Sequence, residues 1–422
     1  MRKLIVQKFG GTSVADTDKI KNVAKTVIKE KENGNDVVVV VSAMGHTTDY
    51  LVKMAYGLSE NPSSREMDML LSTGEGVSIA LLAMAIQALG YDAVSFNAMQ
   101  IGIMTENVHS KARIIDIKTD KLRKNLNEGK IIVVAGFQGV TEEGEITTLG
   151  RGGSDTSAVA LAAALNAERC DIYTDVEGVY TTDPRIVPNA SRLDEISYEE
   201  MLELAHAGAN VLHPRSVETA KQFNVPMRVR SSFKLDNKGT LILGVNKMEI
   251  YKPVAGVAAD ASQARIVVCD VPDRPGIAAK LFSKLAKQNI SVDMIIQSYA
   301  RKVSNTNDIA FTVDLNDLKK TVEALEELKG EIGLTGDIQV NEDIAKVSIV
   351  GAGMIDRPGV ASTMFETLAQ QNINIRMIST SEIKISCLVN KEDAKRAIQA
   401  LHKVFELESD TVAEVKGDLP DV

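Results

Sequence analysis

Two glycine-rich stretches with cations beside them are the parts of this chain best equipped for chemistry. Lys8-Phe9-Gly10-Gly11-Thr12-Ser13 sets a lysine before a glycine pair. Paired glycines let successive backbone N–H groups turn toward one anion, and the lysine adds a point charge beside them. The lysine precedes the glycines, so this is not a Walker A loop. Gly150-Arg151-Gly152-Gly153-Ser154-Asp155-Thr156-Ser157 leads into a predicted helix. Glycines there leave N–H groups free at the positive end of the helix dipole, and the arginine's planar fork suits a carboxylate held by two bonds. The plainer readings are a strand-to-helix turn with a solvated lysine and an ordinary N-cap at Ser154 or Asp155. A third stretch, 174–185, joins turn formers to Tyr180 and Arg185, a set that suits a nucleobase and phosphates.

Elements that alternate between strand and helix must position these stretches. Leu4–Phe9 reads as a strand and Asp18–Glu32 as a helix ending near Gly34. Val37–Val41 is an unbroken β-branched run, the pattern of a strand buried on both faces of a parallel sheet. The spacing predicts a helix over Gly76–Leu89, strands at Ala93–Phe96 and Ile131–Ala135, an Ala-rich helix at Thr156–Asn166 and a strand at Asp171–Thr174. The fold class expected is α/β, a three-layer α/β/α sandwich with a mostly parallel central sheet to about residue 245. Both glycine stretches would then reach the carboxyl edge of that sheet, where open α/β sheets bind ligands.

From Val254 the chain repeats itself. Asp273-Arg274-Pro275-Gly276 returns as Asp356-Arg357-Pro358-Gly359, and Gln288-Asn289-Ile290 returns as Gln371-Asn372-Ile373, a constant spacing of 83 (273 to 356, 288 to 371). Apolar strands precede each turn and amphipathic helices, Ile277–Gln288 and Val360–Gln371, follow. This is a duplicated ferredoxin-like βαββαβ unit. Gly351-Ala352-Gly353 starts like a dinucleotide fingerprint, but Asp356 stands where the third glycine belongs.

Composition bounds the answer. At 422 residues the chain should form two or three domains, and a net charge of −9 disfavours a sequence-independent grip on nucleic acid. Cys170, Cys269 and Cys387 lie far apart, and the five histidines lack metal-ligand spacing, so reduced thiols and no protein-built metal site are expected. The N-terminus reads as a strand and not as a signal peptide, and no apolar run reaches the roughly 18 residues of a membrane span. A cytoplasmic protein is the expectation.

Residues 1 to about 245 resemble the amino-acid kinase superfamily, and within it the aspartokinase branch. Lys8–Ser13, Val39-Val40-Val41-Ser42-Ala43-Met44-Gly45, Ser72-Thr73-Gly74-Glu75, Gly150–Thr156 and Thr174–Arg185 carry the likeness. The repeated tail resembles tandem ACT domains, modules that bind amino acids. The resemblance implies domains at 1–245 (kinase), 246–262 (linker and first regulatory strand), 263–341 and 342–422 (ACT). It implies transfer of the ATP γ-phosphoryl to aspartate, giving 4-phospho-aspartate, the first step toward lysine, threonine and methionine, under feedback by lysine or threonine.

It also assigns roles. Lys8 would meet the transferring phosphoryl, Asp155 would orient Lys8, and Gly10, Gly11 and Ser42 would surround the phosphates. Arg151, with Gly152, Gly153 and Ser154, would hold the aspartate α-carboxylate, Glu75 its ammonium, and Thr48 would help seat it. Tyr173, Thr174, Asp175, Val179, Tyr180, Asp183, Pro184, Arg185 and Arg215 would line the nucleotide site, with Mg²⁺ on the phosphates. Effector contacts would fall on Asp273, Gly276, Ile277, Ala278, Asp293, Gln297, Asn374, Ile375, Ser381 and Glu382. The assembly implied is an ACT-mediated homo-oligomer, or a hetero-oligomer with a shorter chain started at Met248. Glutamate, acetylglutamate or UMP as acceptor, and a sensor without catalysis, are the competing readings. The ACT copies and Ser72–Glu75 weigh against the first; Lys8, Glu75, Arg151 and Asp155 together weigh against the second.

Overall fold

The computed structural model describes residues 2–209, 211–234, 236–244, 252–299, 305–354 and 357–410. Met248 and Asp356 lie outside them. Two compact units emerge: residues 1–180, 192–206 and 210–248 form the first, and residues 181–191, 207–209 and 249–422 the second.

The first unit is built on an eight-stranded sheet ordered Glu195–Ser197, Thr240–Leu243, Met227–Ser231, Arg169–Thr174, Leu4–Phe9, Asp36–Val41, Ile131–Ala135, Ala93–Phe96. The last six of these run parallel to their neighbours, and only Met227–Ser231 against Thr240–Leu243 is antiparallel. Val37 to Val41 and Ile131 to Ala135 are fully buried, as β-branched runs under helices on both faces must be. Helices Thr17–Glu32 and Thr73–Ala88 cover one face through Val23, Val27, Leu82 and Ile86. A small four-stranded sheet, Ile114–Ile117, Ile103–Thr105, Gln138–Val140 and Ile146–Thr148, adjoins it. Its three- and four-residue strands are too short for alternation to reveal in the sequence.

Two helices begin earlier than their periodicity suggests. Thr73–Ala88 takes in Gly74 and Glu75, and Gly153–Leu165 takes in Ser154 and Asp155. Its N-cap is Gly152 at φ 67°, so neither Ser154 nor Asp155 is the cap. The stretch Ser64–Ala88 is long and apolar enough, by composition, to span a membrane, which run length alone passes over. Leu82, Ala83 and Ile86 nevertheless lie in the first unit's core, and Asp68 and Glu75 are buried polar residues of the same stretch. The stretch is two helices, Ser64–Leu71 and Thr73–Ala88, and the second packs one side on that core.

The second unit holds two four-stranded antiparallel sheets. One is ordered Val292–Gln297, Thr306–Asp314, Gln263–Pro272, Ile338–Asn341 and is covered by helices Ile277–Lys287 and Leu318–Ile332. The other is ordered Gly256–Asp260, Ile344–Val350, Lys384–Asn390, Met377–Thr380, with helices Val360–Gln370 and Ala394–Val404. Gly256–Asp260 pairs with Ile344–Val350 from Gly256↔Val350 to Asp260↔Lys346. The strand preceding the first copy therefore completes the sheet of the second, which a reading of two self-contained repeats does not anticipate. Val257 sits in that core at 1% exposure beside Ile186 and Val187 of the 181–191 excursion. Met294, Ile344, Met377 and Leu388 join the two sheets.

A charge at position 257 would be buried without a partner. Val257→Asp is expected to lower unfolding free energy by at least about 2 kcal/mol in urea titration. Val340→Asp, on the half-exposed strand Ile338–Asn341, should leave the midpoint unchanged.

Candidate active site

The parallel register brings Phe9, Val41, Ala135 and Tyr173 level, so the turns that follow them share one edge of the sheet. Phe9 stacks on Tyr173 with ring centroids 4.4 Å apart, anchoring that edge. Lys8 points to the opposite face, where Nζ meets Asp155 Oδ1 at 2.6 Å with both side chains about nine-tenths buried. A Cβ on Gly10 would stand 3.6 Å from Lys8 Nζ, so the ammonium lies over the glycine turn. At Gly11 a Cβ would stand 2.8 Å from the Ala43 carbonyl, which leaves no room for a side chain. The Gly45 N–H donates to Gly11 O at 3.0 Å, locking the first turn to the second.

The turns after strands Asp36–Val41 and Ile131–Ala135 close the site. Ser42 Oγ donates to Ser154 Oγ at 3.0 Å, and a Cβ on Gly136 would stand 2.8 Å from Ser154 Oγ. Glu75 is 2% exposed; one oxygen accepts the Ala43 N–H at 3.2 Å and the other the Gln138 amide at 3.4 Å. Burial pushes its carboxyl up to about 7, against the lowering effect of those bonds. A buried carboxylate without a cation is a receptor for one. Lys8, Gly10, Gly11, Ser42, Glu75, Ser154 and Asp155 are thus joined in one cluster.

The arginine turn adjoins it. Gly150 and Gly152 take φ of 77° and 67°, and a Cβ on Gly152 would stand 2.2 Å from His213 Cβ, so glycine is required there. Arg151 is exposed and has no hydrogen-bond or ion-pair partner among the described residues. Thr48 lies in the first turn of helix Thr47–Leu58, half-buried.

The residues expected at the nucleotide divide. Tyr173 is 1% exposed, and its ring belongs to the core; burial pushes its hydroxyl up to about 12. Thr174 and Asp175 bond each other through side chains at 3.0 Å, and the Thr174 carbonyl accepts the Ser232 N–H at 2.8 Å. Val179 is buried, its N–H donating to Thr240 Oγ1 at 2.8 Å, and burial raises the pKa of half-buried Tyr180. Asp183, Pro184 and Arg185 fall in the second unit, where Arg185 pairs with Asp183 at 2.6 Å. Arg215 donates to two backbone carbonyls, Leu149 O at 2.7 Å and Ala112 O at 2.8 Å. Sequence reasoning missed Gln138, and also Ser13, whose hydroxyl lies 2.6 Å from that of Ser232. Gln138 stands alone beside an apolar run, and Ser13, though inside the first glycine motif, meets its partner from a distant strand end that no local spacing marks.

In the second unit, Asp273, Arg274, Gly276, Ile277, Ala278, Gln297 and Asn307 line a cleft of about 420 Å³. Gly276 caps helix Ile277–Lys287 at φ 92° without a side-chain bond. Asn307 donates to Asp273 Oδ1 at 3.1 Å, while its own Oδ1 is buried without a partner. Asp293 meets Lys346 Nζ at 2.5 Å; burial would raise its pKa, but the lysine brings it below the ordinary value. Asn374 and Ile375 precede strand Met377–Thr380, and Ser381 and Glu382 form the turn after it; none lines the cleft.

Residues 3–231 match the amino acid kinase family, and residues 265–333 and 347–405 each match the ACT domain. An aspartokinase of Bacillus sp. (strain MGA3) is 54% identical over 97% of this chain and 98% of its own. The fold is also that of Escherichia coli aspartokinase III in complex with aspartate and ADP, at TM-score 0.82, 30% identity, 95% of this chain and 99% of that one. The same enzyme in complex with lysine and aspartate matches at TM-score 0.72 and 30% identity over 95% and 99%. With this site on this fold, the chain belongs to the aspartokinases of the amino acid kinase family, enzymes that phosphorylate a carboxyl acceptor and carry ACT domains.

Glu75 gives a test that needs no substrate. Its folded pKa of about 7 exceeds the ordinary 4.5, so its stabilising contribution is complete below pH 4.5 and is lost as pH rises through 7. Between pH 4.5 and 8, the parent should lose up to about 3 kcal/mol of stability relative to Glu75→Gln. Urea unfolding of both proteins across that range checks it; a constant difference would mean that the carboxyl titrates normally.

Proposed function

We propose that this aspartokinase moves the γ-phosphoryl of ATP onto the side-chain carboxylate of L-aspartate, giving 4-phospho-L-aspartate. The Lys8–Asp155 pair, set between two glycine turns and beside buried Glu75, is the observation that carries this reading. The relative that holds aspartate and ADP supports the choice of substrates.

Glu75 takes the aspartate ammonium, which neutralises its buried charge, and Arg151 takes the α-carboxylate in a two-pronged bond. That leaves the side-chain carboxylate facing Lys8. It is ionised at neutral pH, so no general base is needed. Negative charge spreads over the phosphoryl oxygens in the transition state, and Lys8, steered by Asp155, answers it. Gly10, Gly11 and Ser42 bring donors to the phosphates. Mg²⁺ would sit on the ATP phosphates that Gly10, Gly11 and Ser42 face. When bound, the ion would supply further neutralisation of phosphate charge.

Regulation belongs to the cleft at Asp273. The uncapped helix start offers N–H groups to an amino-acid carboxylate, and Asp273 with the unpartnered Asn307 carbonyl offers acceptors to its ammonium. Lysine, threonine or both bind there and favour a less active state, by about 1–3 kcal/mol of differential affinity. The relative with bound lysine supports an amino-acid effector. Asn374, Ile375, Ser381 and Glu382 would meet the effector from a second subunit in an ACT-mediated assembly. The reaction opens the cytoplasmic route to lysine, threonine and methionine.

Hydroxamate formation from ATP, Mg²⁺ and hydroxylamine should proceed with aspartate and fail with glutamate or acetylglutamate, and UMP should drive no release of ADP. Lys8→Ala should lower kcat by at least about 100-fold with a much smaller loss of ATP affinity. Near-normal turnover would remove Lys8 from the mechanism. Asp273→Ala should raise the lysine or threonine concentration for half inhibition by at least about tenfold. An activity curve indifferent to both amino acids, alone and mixed, would sink the sensing role.

A further inference from the structure

The turn that carries Arg151 is held in place by side chains that have no part in the ligand-facing cluster. Asp68, on helix Ser64–Leu71, is fully buried. Its carboxylate accepts the Thr148 hydroxyl at 2.6 Å, the Ser110 N–H at 2.9 and 3.1 Å, and contacts His109 Nδ1 at 2.9 Å. Thr148 ends the strand that runs into Gly150. Ser110 adopts φ 70°, a conformation few residues hold without support, and its carbonyl would stand 3.0 Å from a Cβ on Gly150. One carboxylate therefore fixes both the strand entering the turn and the segment on which the turn rests.

Arg215 closes the bracket from another element. It sits in helix Pro214–Phe223 and ties Leu149 O and Ala112 O together, while the Ala112 N–H donates to Thr148 O at 3.0 Å. Burial lowers its pKa from the usual arginine value, a cost borne for bonds to backbone alone. A buried carboxylate and a half-buried guanidinium spent on the strand end, the supporting segment and the carbonyls around one turn make little sense as general stabilisation. They make sense where a direction must be held, because a two-pronged arginine–carboxylate bond fails when the fork is misaimed.

We propose that Asp68, through Thr148 and Ser110, and Arg215, through Leu149, are positioning residues that aim Arg151 at the substrate carboxylate and so set aspartate affinity. This rests on the reading of Arg151 as the carboxylate fork. It also makes Arg215 a brace of the aspartate turn in place of a nucleotide contact.

Thr148→Val keeps the side-chain shape and removes only the 2.6 Å bond. Losing a hydrogen bond to a charged group should raise the aspartate KM by roughly 10- to 100-fold, with the ATP KM within about twofold and kcat falling less than KM rises. Thr148→Ser keeps the hydroxyl and should restore the parent KM. Aspartate-dependent shifts in the melting temperature, with no ATP present, should weaken in Thr148→Val and recover in Thr148→Ser. Should Thr148→Val fold poorly, Arg215→Met gives the same measurement from the other side of the bracket. A folded Thr148→Val with the parent aspartate KM, or a serine variant as impaired as the valine one, would overturn the proposal. Arg151→Lys, run in parallel, separates the two claims. If it raises the aspartate KM while Thr148→Val does not, the brace fails alone. If it raises the ATP KM instead, the ligand reading falls, and the brace survives only if Thr148→Val raises the ATP KM too.

Discussion

The arrangement hangs on one buried ion pair, Lys8 with Asp155. It joins the first strand of the sheet to the start of a helix far along the chain, and neither group could be buried at that point alone. Such a pair contributes little net stability. It earns its place by fixing where a cation stands: over the Gly10 turn, one step from Ser42, Ser154 and Glu75. The steric demands around it follow. Gly11 must be glycine because Ala43 O occupies its side-chain space, and Gly136 because Ser154 does.

Around that pair the site balances charge unevenly. Lys8 already has its counterion, whereas Glu75 is a buried acid with only neutral donors and Arg151 an exposed base with no described partner. An amino acid carries the two complementary charges. On the proposed reading, Glu75 and Arg151 would meet those two charges while Lys8 faces the phosphoryl group, the division of labour a carboxyl kinase requires.

Much of this was legible before any coordinates. The valine run at 37–41, the alternation of elements and the glycine turns name the sheet and its carboxyl edge, because burial on both faces and close backbone approach leave strong compositional marks. The 83-residue spacing reveals the repeat. What stayed hidden has physical causes. Helix starts were misjudged at Thr73 and Gly153 because glycine and small polar residues there read as loop, while packing against Ala43 and Phe137 holds them helical. Asp68 and Gln138 act through contacts across long separations, which no local pattern records. The resemblance sets Tyr173 along the nucleotide site, and strand alternation turns its ring into the core against Phe9.

The strand Gly256–Asp260 has a consequence for how the chain is made. It leaves the ribosome before the whole first ACT copy, yet its partner, Ile344–Val350, follows that copy. The second sheet must wait for the first copy to be synthesised, and the loop it closes is cheaper once that copy has collapsed into a compact body. Assembly therefore has a built-in order: the kinase sheet and the inserted module can form as they emerge, and the second ACT sheet seals last. Long-range pairing of this kind slows folding and lengthens the time an apolar strand stands open. Val257, with Ile186 and Val187 made still earlier, is surface that a nascent chain must shelter until that partner strand arrives.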